Sequence, residues 1–125
     1  MSYMNQVLLV GHLTRNPECR YTAGGHAVAG FSLALNRNYR DAKGEPREEV
    51  CFVEVEAFGE LAESLRSYLG KGSMVYVEGR LRTSQWRDKR SGRIRHRLKV
   101  AAQRIDFLSP PSRSGTFQDE PPDRP

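Results

Sequence analysis

A chain of 125 residues and 14.2 kDa has the length of one domain, since a single core serves ~100 to 150 residues before chains divide. With 38% hydrophobic residues it has no uncharged apolar run near the ~20 residues that cross a bilayer. Residues 1–11 lack the charged and apolar regions of a signal peptide, so a cytoplasmic chain is expected. The net charge is +5 and 16 of the 20 cations are Arg, whose planar fork suits phosphate, so an anionic partner is the first expectation.

In chain order, residues 5–13 are β-rich, Asn16-Pro17-Glu18 marks a turn before a short segment at 19–21, and Gly24-Gly25 marks a second turn. Along 27–35, Ala27, Ala29, Phe31, Leu33 and Leu35 line one side of a largely buried strand. Residues 36–49 are polar, with Gly44 and Pro46, and read as a long loop or a flexible hairpin tip. The strand at 50–58 turns Cys51, Val53, Val55 and Ala57 inward and Phe52, Glu54, Glu56 and Phe58 to the other face. Leu61, Leu65 and Leu69 at i, i+4, i+8, with Gly70 at C′, predict one short helix over 60–69.

A long strand follows at 74–87, with Val75, Val77, Gly79 and Leu81 on one side and Met74, Tyr76, Glu78, Arg80, Arg82 and Trp86 on the other. The turn at 88–92 leads to a return strand that alternates Ile94, His96, Leu98, Val100 and Ala102 toward the core with Arg93, Arg95, Arg97 and Lys99 outward. Five of the seven prolines fall in 109–125, whose only large apolar residue is Phe117, so this stretch reads as a disordered Pro-rich tail on a domain of residues 1–108. Three strands, a helix and two more strands around one core predict an all-β, five-stranded barrel of OB-fold order, with the helix between strands 3 and 4. A small open sheet with one covering helix would share most of that core.

Two cysteines, Cys19 and Cys51, lack a C-x-x-C spacing and are expected to stay reduced. His12, His26 and His96 have no ligand spacing, and no nucleophile, phosphate-loop or zinc motif occurs, so neither an enzyme nor a metal or cofactor site is expected. Glu54 and Glu56 read as cross-strand partners for arginines in preference to an acid and base pair. Charge is segregated: residues 80–104 hold ten cations and one acid, whereas 41–63 hold eight acids and two cations. Aromatics stand on the polar faces, with Phe52 and Phe58 flanking the glutamates, Trp86 sharing a face with Arg82, and Tyr39 beside Arg37 and Arg40. Any one ring could equally pack under the helix or against a second subunit. Four rings beside the row Arg93, Arg95, Arg97 and Lys99 point to bases stacking on rings while phosphates lie along a cationic groove.

These residues carry a resemblance. Asn5-Gln6-Val7-Leu8-Leu9-Val10-Gly11-His12-Leu13 with Asn16-Pro17-Glu18 and Arg20-Tyr21, then Phe58-Gly59-Glu60-Leu61-Ala62-Glu63, then residues 68–83 and Trp86 before the 88–92 turn, resemble bacterial single-stranded DNA-binding proteins over nearly all of 1–108. The resemblance implies an OB-fold and a homotetramer that binds and protects single-stranded DNA without sequence preference in replication, recombination and repair, in the cytoplasm at the nucleoid. It implies base stacking on Tyr39, Phe52, Phe58 and Trp86 and phosphate contacts by Arg20 and Lys71. Tyr39 and Phe52 stand where indoles are common, Glu54 and Glu60 where a cation is often found, and Val53 where the family has a polar residue at a subunit contact. The family's tail usually ends in an acidic tip closed by an aromatic residue that docks replication and repair proteins. Here the last residues are Asp123-Arg124-Pro125, so recruitment through them is expected to be weak.

Overall fold

The computed structural model describes residues 2–108. The tail reading falls on 109–125, outside the described residues. The elements are β1 (Val7–Leu13), β2 (Glu18–Tyr21), β3 (Ala27–Arg40), β4 (Pro46–Phe58), α1 (Gly59–Tyr68), β5 (Met74–Arg87) and β6 (Ile94–Phe107). The strand order β1-β5-β6-β4-β3-β2 closes through a second pairing of β1 with β3 at His12 and Leu13. β1, β3, β4, β5 and β6 thus form a five-stranded barrel of OB-fold order, with β2 a short strand beside β3 and the helix between the barrel's third and fourth strands. β4 and β6 run parallel, and the other pairs are antiparallel.

Closure depends on side-chain size. Leu13, Ala29, Phe31, Leu33, Val55, Ala57, Val75, Val77 and Val100 fill the barrel, and α1 packs on this core with Ala62 and Leu65, followed by Leu69 at its C-cap. Where β1 crosses to β3, a Cβ on Gly11 would lie 2.5 Å from the carbonyl oxygen of Ala34. Where β5 slips register after Glu78, a Cβ on Gly79 would overlap the backbone of Ala101. Both strands need the bare backbone at these points.

The alternation readings hold inside the barrel and fail beyond it. Residues 36–49 are chiefly the two legs of a hairpin, paired Arg37 to Glu49, Asn38 to Glu48 and Tyr39 to Arg47 around a turn at 41–45. Cys51 is exposed, because it lies on this arm where no second layer covers the inward row, and Cys19 is exposed as well. Ile94, His96 and Leu98 are also exposed, since the β5–β6 hairpin projects past the closed wall. Ala102 packs against the core from a half-buried position, and the register shift between Glu78 and Gly79 skips Gln103, so that Ile105 is the next inward residue of β6. Gly70 is not a left-handed C′ residue: Leu69 caps the helix in extended backbone, and Gly72, with φ +89°, makes the turn. Among the described residues no helix is long and apolar enough to cross a membrane.

Candidate nucleic-acid interface

β4 carries Phe52, Glu54, Glu56 and Phe58 on its outer face, by the same two-residue period that sends Val55 and Ala57 into the core. Phe52 is 66% exposed, Phe58 45% and Trp86 44%, so each offers ring surface to a ligand. Val28 is the cross-strand partner of both Phe58 and Arg20, which places Arg20 on the same row as Phe58 about 10 Å away, two strand spacings.

Arg82 reaches Phe58 from β5, with its guanidinium carbon 5.7 Å from the ring centroid. Its Nη1 also donates to Glu56 Oε1 at 2.8 Å, and Lys99 Nζ donates to Glu56 Oε2 at 3.0 Å. Glu56 is therefore an arginine partner, with Arg82 on one oxygen and Lys99 on the other. The sequence signal was the outward parity of all three residues. The contact itself depends on the parallel β4–β6 pairing of Val55 with Val100, which alternation does not encode. Glu54 is half-buried and makes no ion pair among the described residues.

The β5–β6 arm holds a second group. Arg97 lies over Trp86 at 5.6 Å from its ring centroid, while Arg95, the cross-strand partner of Trp86, pairs with Asp88 at the hairpin turn at 3.2 Å. The β3–β4 arm holds a third: Arg37 lies 4.7 Å from the Tyr39 centroid and pairs with Glu49 at 2.6 Å, and Arg40 donates to the Gly44 carbonyl. By register, Tyr39 belongs to the row of Leu33 and Leu35, opposite in parity to Phe52, so the fold does not set these two rings side by side on one strand face. At the tip of this arm, the backbone N–H of Glu45, the Arg47 side chain and the N–H of Lys43 hold the Asp41 carboxyl below its ordinary range. Lys71 sits in the turn before β5, where its N–H donates to Asn16 Oδ1 at 2.8 Å.

Among the described residues no arginine lies over Phe52. This ring borders an apolar cleft of about 300 Å³ formed with Val7, Leu9, Val53, Leu81 and Leu98. Sequence reasoning missed this cleft because Leu81 and Leu98 were placed in the core.

The profile of the single-strand binding protein family matches residues 4–108. The chain belongs to that family. It is 43% identical over 104 residues to a single-stranded DNA-binding protein of Helicobacter hepaticus, covering 83% of this chain and 61% of the relative. It is 41% identical over 116 residues to one of Staphylococcus aureus, covering 93% and 72%. The chain thus spans less than two thirds of the length of the Helicobacter relative. Among solved structures, a deletion mutant of the single-stranded DNA binding protein from Thermus aquaticus superposes with a TM-score of 0.75 at 38% identity, over 85% of this chain and 51% of that one. A Plasmodium falciparum SSB in complex with ssDNA superposes with a TM-score of 0.78 at 25% identity, over 87% and 98%. Family membership directs attention to the outer face of β4 and the two arms, where the exposed rings and Arg side chains lie together.

Proposed function

We propose that this chain binds single-stranded DNA without sequence preference, protecting it in replication, recombination and repair, as a non-enzymatic homotetramer in the cytoplasm at the nucleoid. The observation that carries this reading is the pairing of exposed rings with arginines: Phe58 with Arg82, Trp86 with Arg97 and Tyr39 with Arg37. Every base has a stackable face, and the cations meet the phosphates that come with it, so affinity follows unpaired bases and charge without reading sequence. Arg20, Arg40, Lys71 and Arg95 extend the cationic surface, and Phe52 supplies the ring without a cation. The names of the relatives support the same ligand. Competition among poly(dT), poly(U) and duplex DNA for the full chain tests it. Poly(dT) should bind tightest and duplex worst, because duplex bases already stack on one another. Equal binding of duplex would reject the stacking mechanism.

The tetramer has its own support. β1 pairs with β5 along Val7–His12 but with β3 only at His12 and Leu13, which leaves an open strand edge beside the exposed Leu8 and Val10. A second copy of the chain could pair with that edge across a two-fold axis.

A further inference from the structure

Glu56 is the one buried carboxylate among the described residues, and both of its oxygens are engaged by cations. The two cations differ in access. The Lys99 side chain is only 17% exposed and ends on Glu56, whereas Arg82 is 38% exposed and engages Glu56 through Nη1 alone. Its remaining N–H groups have no other acceptor among the described residues, and its guanidinium lies beside the Phe58 ring.

We propose that Glu56 is a positioning residue for the DNA backbone: it holds one edge of Arg82 beside Phe58 so that the other edge meets the phosphate of a base stacked there. Lys99 acts as the inner counter-charge that orients the carboxylate, and it is not itself a phosphate ligand. A guanidinium fork can bridge a carboxylate and a phosphate at once, because its donors point along two edges. An arginine already fixed at one edge also has less rotamer freedom to lose when the strand arrives. This assignment rests on single-stranded DNA being the ligand.

The test uses the full chain, with poly(dT) titrated at several salt concentrations and the folded state confirmed by a melting curve. Glu56→Gln is expected to bind about tenfold more weakly than the native protein, the worth of one hydrogen bond to a charged group. Its log-log salt slope should be shallower by about 0.7, one phosphate contact. Adding Phe58→Ala should cost less in the Glu56→Gln background than in the native one, since the two act on the same nucleotide. A folded Glu56→Gln protein with native affinity and slope would reduce Glu56 to a structural ion pair. Tighter binding with a steeper slope would make it a competitor of phosphate, and either result overturns the proposal. If Glu56→Gln does not fold, Arg82→Lys decides, because an ammonium keeps the charge but cannot present two edges: the same loss is expected, and native affinity overturns the assignment. Failure of the native protein to bind poly(dT) would instead reject the ligand.

Discussion

The guanidinium of Arg97 lies over the indole of Trp86 from the neighbouring strand, 5.6 Å from carbon to centroid. Arg97 is the cross-strand partner of Ser84, two residues before Trp86, so the contact is the diagonal one that long side chains make on a sheet face. Trp86 is the only tryptophan, which makes its fluorescence a report on this one site. Emission should be strongly quenched as poly(dT) saturates the protein, and Trp86→Ala should weaken binding by ~1 to 3 kcal/mol. Unchanged emission at saturation would remove Trp86 from the interface.

Salt dependence should follow the cations that are free of carboxylates. Arg37, Arg82, Arg95 and Lys99 each have a carboxylate partner within 4.0 Å, whereas Arg20, Lys71, Arg93 and Arg97 have none among the described residues. The second group, joined by Arg82 through the edge that Glu56 leaves free, should dominate counterion release, at a log-log slope of about −0.7 per phosphate neutralised. Replacing Arg20 or Arg97 by Ala should flatten the slope by roughly that amount. Replacing Arg95, held by Asp88, should change it less. A slope that stays flat in the native protein would reject the groove.

The limits of what the sequence reveals trace to particular residues. Val75, Val77, Phe31 and Leu33 were legible because a buried strand face repeats every two residues. Ile94, His96 and Leu98 repeat in the same way and yet lie in the open, since alternation marks a face without marking where the barrel wall ends. Residues 36–49 read as a loop because their pairs are polar, with Arg37 opposite Glu49 in place of an apolar pair. The rings Phe52, Phe58 and Trp86 were recognisable as apolar side chains on polar faces. The bond from Glu56 to Arg82 spans 26 residues and depends on β4 and β6 meeting in parallel, a topological fact with no local signature.

The open edge of β1 leads to a prediction about assembly. Leu8 and Val10 share the outward face of that strand, where an association across the edge would bury them. Light scattering should give the mass of a tetramer at micromolar concentration. Leu8→Arg combined with Val10→Arg should yield smaller species, with the barrel intact by circular dichroism, because neither side chain lies in the core. A native protein that runs as a monomer would overturn the assembly.

Glu54 yields the last prediction, because it differs from Glu56 in every respect that matters for a strand of phosphates. It stands on the same outer face of β4, between Phe52 and Glu56, but it is half-buried and has no cation to neutralise it among the described residues. A bare carboxylate beside a stacking ring repels the phosphate that accompanies the base, by ~1 kcal/mol across about 4 Å of water. Glu54→Gln keeps the size and shape of the side chain while removing the charge. Poly(dT) affinity should therefore rise at low salt, and the gain should fade as salt shortens the screening length to a few ångströms. The melting temperature should hold, since no ion pair is lost. Titrating the variant and the native chain in parallel at low and high salt checks both halves of the argument, and weaker binding at an unchanged melting temperature would mean that Glu54 makes a favourable contact with the strand.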